Sequence, residues 1–277
     1  MKKSLMIDEK PNTTSSREGL IAQATSSSLL EIRLKLNKKY SSNDFTSWLF
    51  ARLDVNKNED ILDVGCGTGA QTIPFLDRVG DGGSVSCIDI SSESIDSLLS
   101  LANYPDNLDA IVADMSTLQE CISSKFRVKK YDLVHSSYSL YYADSPATVL
   151  NAMKNSLKPN GRLAVFTPNS PHGMVDFVRQ FYPIPAAVDA SLSFGASVLE
   201  PFFKTNFLNV VIHLFNNTLR IPGVDDFMGF YRATTYWERE KEPIVISKVT
   251  EIIDKLSYFE YQKNGYLIIG RDPLQNE

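Results

Sequence analysis

Ile61-Leu62-Asp63-Val64-Gly65-Cys66-Gly67-Thr68-Gly69-Ala70 is the stretch on which the reading of this chain turns. Its first four residues are a short apolar run interrupted once by a carboxylate, the pattern of a strand buried in a sheet. Alternating glycines follow. Residues 70–79 then read as a helix with Pro74 in its first turn, where a missing N–H costs least. Glycine lets the backbone turn sharply and approach a ligand with no Cβ between them. The helix start adds unpaired N–H groups and the positive end of its dipole, which suit a carboxylate or a phosphate.

Working outward, strand and helix keep alternating. Gly80-Asp81-Gly82-Gly83 is a turn, residues 84–88 a second strand, and Ser91-Ser92-Glu93 the cap of a helix running to Leu101. Further strands are expected at 108–112, 131–135 and 161–166, with a helix over 146–157. Alternation at this spacing gives right-handed βαβ units and a parallel, doubly wound α/β sheet. Upstream, residues 17–40 and a short helix after the capping cluster Ser41-Ser42-Asn43-Asp44 form an N-terminal helical cap over 17–53. Residues 1–16 are polar and expected to be disordered. Beyond Phe166 the alternation breaks, and 167–205, rich in proline and aromatics, reads as an inserted cap. Late strands are expected at 209–215 and 266–270, with helices over 225–236 and 244–256. Residues 17–277 are expected to form a single domain.

Composition narrows the function. The chain has 277 residues, 43% hydrophobic and 22% charged, and a net charge of −5. A mildly acidic chain lacks the basic face that follows a phosphate backbone, so nucleic acid is not an expected partner. Cys66, Cys87 and Cys121 are too few and too scattered for a disulfide framework and read as reduced thiols of a cytoplasmic protein. Asp8, Glu9 and Lys10 break the apolar stretch after Ser4, against a signal peptide, and no run of about 20 apolar residues suggests a membrane span.

Two ligand classes compete for the glycine loop. Gly65-x-Gly67-x-x-Ala70 fits the dinucleotide fingerprint, and Asp89, about 20 residues on, stands where a ribose-binding acid belongs. Three features favour a different ligand. Asp63, two residues before the first glycine, would repel a pyrophosphate but welcome an ammonium. Gly69 adds a third alternating glycine. Asp114, ending the third strand, could accept from an adenine amino group.

The run from Ile61 to Gly69 resembles motif I of the class I S-adenosylmethionine-dependent methyltransferases. Cys87-Ile88-Asp89-Ile90-Ser91 is similar to that family's acidic second-strand end, Ala113-Asp114-Met115 to its third-strand end, and Leu157-Lys158-Pro159-Asn160-Gly161-Arg162-Leu163 to the turn before its fifth strand. Asn160 stands where the family often has glycine. The resemblance implies a mostly parallel seven-stranded sheet with an antiparallel last strand, and S-adenosyl-L-methionine as cofactor. Gly65, Cys66, Gly67 and Gly69 would hold the methionine part, with Asp63 near its amino group. Asp89 would take the ribose hydroxyls, Ile90 and Met115 would sandwich the adenine, and Asp114 would bond its amino group. For Asp89 and Asp114 the plain alternative is a turn or helix-cap acid.

The acceptor is expected to be a small, partly apolar molecule methylated on oxygen or nitrogen. The stretch after the fourth strand reads His135-Ser136-Ser137-Tyr138, without the prolines of methyltransferases that act on nucleic-acid bases. His135 and Tyr138 are the catalytic candidates, His135 as base for a hydroxyl acceptor. The alternative for His135 is shaping the cofactor pocket through its backbone. Tyr40 could close over the cofactor as a lid or simply end its helix. Phe177, Phe181, Tyr182, Phe194, Phe202 and Phe203 form either a local core or an acceptor box. Arg179 and Arg232 could pair with an anionic group, though surface roles are commoner; His172 and His213 read as packing or surface residues. No metal site is expected. A cofactor-binding regulator of the same fold, without transferase activity, is the competing reading.

Overall fold

The computed structural model describes residues 17–103 and 105–274. The tail expected over 1–16 lies outside them. Eight strands, β1 (Asp60–Val64), β2 (Ser84–Asp89), β3 (Leu108–Val112), β4 (Tyr131–Ser137), β5 (Leu157–His172), β6 (Phe207–Phe215), β7 (Thr218–Ile221) and β8 (Phe259–Pro273), form one sheet in the order β3-β2-β1-β4-β5-β8-β6, with β7 on the first part of β8. Pairs from β3 to β5 are parallel, and β8 runs against β5, β6 and β7. The strand order reverses between β1 and β4. In an open α/β sheet the crevice for ligands opens there, at the carboxyl ends of the strands.

The expected α/β sheet is present, with one strand more than expected. The additional strand is β7, four residues closed onto β8. The apolar runs read as buried strands are buried on both faces, as parallel strands covered by helices must be. Leu62, Val64, Ile88, Val134 and Val165 pack on one face, and Ile61, Cys87, Leu133, Ala164 and Ile269 on the other.

Upstream of the sheet lie α1 (Arg17–Thr25), α2 (Ser27–Tyr40) and α3 (Phe45–Leu53). The capping cluster works as expected: Ser47 N–H donates to the Asp44 carboxylate at 2.6 Å, opening α3. Between the first strands run α4 (Thr72–Val79) and α5 (Ser92–Leu101), the latter opened by Ser94 N–H donating to Ser91 Oγ.

Of the expected insert 167–205, the first residues belong to the sheet. Residues 167–172 continue β5, paired with β8 as far as His172 opposite Lys263. Thr167-Pro168-Asn169-Ser170-Pro171 looks like a turn, and only the antiparallel partner, distant in sequence, makes it a strand. The cap has its own apolar core, which draws on Leu36 of α2, the helices Gly173–Val178, Val224–Arg232 and Glu242–Leu256, β7, and Phe259 and Tyr261 of β8. The aromatics of the insert belong to cores: Phe177, Tyr182, Phe194 and Phe203 are buried.

Candidate cofactor and acceptor site

The glycines after β1 all take left-handed backbone, φ 73° at Gly65, 53° at Gly67 and 87° at Gly69. At Gly65 a Cβ would stand 2.4 Å from the Cβ and Oγ of Ser139, so the loop after β4 lies directly against it. Gly65 N–H and Cys66 N–H both donate to the Ile88 carbonyl, tying the loop to the end of β2. Over Gly67 stands Leu30 of α2, with Cδ2 3.0 Å from where a Cβ would be.

Asp89 ends β2 beside the loop. One oxygen accepts from Gly67 N–H at 2.8 Å and the other from Ser91 N–H at 2.9 Å. Burial raises its pKa, against the pull of these N–H groups. Ile90 presents an exposed apolar side chain, and Met115 approaches Gly65 from the end of β3. Asp114 accepts from Ser116 N–H at 2.7 Å and opens the short turn Met115–Thr117, while its side chain remains exposed. The Cys66 thiol is buried against that of Cys87, and this contact with burial pushes its pKa up, so it contributes backbone rather than a reactive sulfur.

Asp63 and His135 stand side by side on β1 and β4, in register, and form one polar chain beneath the loop. Asp63 Oδ1 lies 2.8 Å from His135 Nδ1, and its Oδ2 accepts from Thr72 Oγ1 at 2.7 Å. His135 Nε2 lies 2.9 Å from Ser137 Oγ. Asp63, His135 and Thr72 are each 2% exposed or less. Asp63 is therefore engaged by protein on both oxygens, and the His135 ring does not open onto the crevice. Ser137, half-buried at the carboxyl end of β4, is the outer end of the chain. The sequence places Ser137 in the candidate stretch after the fourth strand but gives it no role of its own, because a serine acquires this role only from the histidine two residues before it and an aspartate on another strand.

Tyr138 follows with a left-handed φ of 56° and packs edge-on against Phe166 and Phe45. Burial raises its pKa, which keeps the phenol protonated. Tyr40 is not brought to the glycine loop. Its hydroxyl bonds the Asp226 carboxylate, which also holds Lys39, and its ring joins the cap core. Arg179 pairs with Asp189, and Arg232 with Glu242, so both arginines are neutralised within the chain.

The chain matches the methyltransferase-domain family over residues 55–200, more than half its length. It belongs to the class I S-adenosylmethionine-dependent methyltransferases. It is 29% identical over 151 residues to nocamycin O-methyltransferase of Saccharothrix syringae, a match covering 54% of this chain and 52% of that protein. It is 31% identical over 134 residues to aklanonic acid methyltransferase of a Streptomyces species, covering 47% and 58%. The chain thus spans about half the length of these relatives. Its fold is shared with the YcgJ protein of Bacillus subtilis (TM-score 0.57, 15% identical, 83% of this chain and 98% of that one). It is shared also with phosphoethanolamine N-methyltransferase 2 of Haemonchus contortus, solved with S-adenosylhomocysteine (TM-score 0.56, 15% identical, 96% and 62%).

S-adenosylmethionine is this family's methyl donor, and the residues of this chain fit it. Gly67 leaves bare backbone where a Cβ would meet Leu30, and the Asp89 carboxylate keeps lone pairs beyond its two N–H bonds. The apolar side chains of Ile90 and Met115 border the same strand ends. Among the described residues no three His, Cys, Asp or Glu side chains gather to hold a metal, and no helix is long and apolar enough to cross a membrane.

Proposed function

We propose that this methyltransferase moves a methyl group from S-adenosylmethionine to a hydroxyl or enol oxygen of a small, partly apolar acceptor, with Ser137, His135 and Asp63 taking the proton. The hydrogen-bonded chain Ser137–His135–Asp63 carries the reading, because it is a proton-accepting system at the switch point of the sheet. The relative named as an O-methyltransferase supports an oxygen acceptor, although relatives named as C-methyltransferases match as well. Gly65, Gly67 and Asp89 would bind the donor, Asp89 by its ribose hydroxyls, and Ile90, Met115 and Asp114 would surround its adenine.

The bound donor supplies a methyl group already activated on a sulfonium, so alignment in a dry crevice does much of the work. A hydroxyl acceptor must also lose a proton. With the His135 proton on Nδ1, donated to Asp63, Nε2 is free to accept from Ser137. As the acceptor oxygen gains the methyl group, its proton passes to Ser137 Oγ and the serine proton to His135 Nε2. The resulting imidazolium is held by the Asp63 carboxylate, which Thr72 fixes in place. Asp63 and Thr72 are positioning residues, and Ser137 is the group in contact with the acceptor.

The test is methyl transfer from methyl-labelled S-adenosylmethionine to a panel of phenols, enols and carboxylic acids. His135→Ala and Ser137→Ala should each lower the rate about 100-fold while leaving S-adenosylhomocysteine affinity within a few-fold. Full activity in both variants would remove the relay, and loss of cofactor affinity along with rate would make these residues part of the binding site.

A further inference from the structure

Beside Tyr138 two cations come together, and among the described residues no acid pairs with them. Lys263 leaves β8 with its Nζ 3.0 Å from the Asn37 amide oxygen, 5.1 Å from the Phe230 ring centre and 6.0 Å from that of Tyr138. Its partners are thus a neutral amide and two aromatic faces. Arg33, one turn before Asn37 on α2, spends its guanidinium on the carbonyls of Ala24 and Ala233, at 2.8 and 2.7 Å. No acidic side chain among the described residues pairs with either cation. Burial, with Arg33 nearby, lowers the Lys263 pKa to about 7, and burial lowers that of Arg33 as well. The chain carries a net charge of −5, yet among the described residues no carboxylate pairs with this lysine or arginine.

Two further groups point into the same space. His172 is the cross-strand neighbour of Lys263, and Tyr261 lies two residues before it on the same face of β8. The two rings are 6.5 Å apart. His172 is 7% exposed and Tyr261 4% exposed, yet neither His172 Nδ1 nor the Tyr261 hydroxyl has a hydrogen-bond partner. Buried polar groups are ordinarily satisfied, so each orphan asks for a ligand atom or a water. Burial and Lys263 together hold His172 neutral, its pKa lowered to about 3. It therefore adds hydrogen-bonding capacity, and Lys263 and Arg33 supply the charge.

Resting on the methyltransferase reading, we infer that Lys263, assisted by Arg33, His172 and Tyr261, binds an anionic oxygen group of the acceptor, a carboxylate or an ionised enol. Tyr138, on which the Lys263 ammonium looks, directly follows Ser137. On this inference, an acceptor held at Lys263 by its acid group offers a neighbouring hydroxyl to Ser137. The preference is for organic acids in which the reacting oxygen and the anion are close neighbours. Neutral analogues of the same shape leave the cation buried and unpaired, which is the strongest form of discrimination a small site has.

The experiment is a calorimetric titration at pH 6.5 of the protein saturated with S-adenosylhomocysteine, using matched acids and amides. The probes are salicylate against salicylamide, and acetoacetate against acetoacetamide, with inorganic phosphate as a third arm. At least one acid should bind about tenfold or more tighter than its amide, and phosphate should not displace it. In Lys263→Met the acid should fall to the level of the amide, while S-adenosylhomocysteine still binds within about twofold and Lys263→Arg keeps the preference. Equal binding of acid and amide, no binding of either acid, or a preference that survives Lys263→Met overturns the inference. Phosphate binding more tightly than both acids overturns the carboxylate or enolate in favour of a phosphate ester. Failure of S-adenosylhomocysteine itself to bind falls on the methyltransferase reading, and the acid–amide ratio is then read on the protein alone.

Discussion

At the scale of the residue, the site rests on a few side chains with no freedom to be something else. Gly65 is the clearest case. Its φ of 73° is costly for any other residue, and an added Cβ would stand 2.4 Å from Ser139. Gly65→Ala should lose about 2 kcal/mol of stability, a Tm about 4–8 °C lower by calorimetry, before any ligand is considered. Lys263 is the opposite case, a residue the fold tolerates at a cost. Its pKa of about 7 lies below the usual value of about 10.4, so the unfolded chain holds the proton more readily than the native one. The native state carries the full penalty below pH 7, and the penalty fades as pH rises from there toward 10. Lys263→Met should therefore raise Tm by about 2–4 °C at pH 6.5, with the gain shrinking by pH 9.5. Thermal scans at both pH values check this; a variant less stable at pH 6.5 would mean that Lys263 is paired in solution.

At the scale of the element, α2 joins the two halves of the crevice. Ser27 bonds Glu93 at the start of α5, Leu30 covers Gly67, and Arg33 and Asn37 reach the cationic space, at the spacing of one helical face. Leu36 and Tyr40 lie on the flank that enters the cap core. The helix is thus a roof over the glycine loop, and its contact there is Leu30 rather than Tyr40. Leu30→Ala should leave Tm within about 2 °C but speed the release of S-adenosylhomocysteine about tenfold in stopped-flow measurements. An unchanged release rate would mean that α2 moves aside when ligand binds.

The glycine loop, Asp89 and the first five strands were legible in the sequence because each is a local pattern: an apolar run, a turn, a cap. The continuation of β5 past Phe166 and the short β7 were not. Both exist through pairing with β8, whose partner residues lie about forty positions beyond β7 and ninety or more beyond the added residues of β5. The same limit hid the polar chain. Asp63 and His135 were each singled out, but their contact depends on β1 and β4 being neighbours in register, and Ser137 acquires meaning only from that contact. Arg33, Lys263 and His172 come from three separate elements, and nothing in their local sequence marks them.

At the scale of the whole molecule, the crevice lies where the sheet's switch point meets a cap with a separate core. On the proposed reading the sheet supplies the donor loop and the proton-accepting chain, and the cap side, through Lys263 and Arg33, supplies the charge for the acceptor. That division makes donor binding separable from acceptor chemistry. Calorimetric titration of S-adenosylhomocysteine and of NAD into the wild-type protein and into Asp89→Ala tests the central claim most directly. The wild type should bind S-adenosylhomocysteine at one site and give no heat with NAD. Asp89→Ala, folded by circular dichroism, should bind about 100-fold more weakly, since each ribose hydroxyl bond to a carboxylate is worth about 1.5–3 kcal/mol. Tight NAD binding, or a folded Asp89→Ala protein with unchanged affinity, would contradict the account.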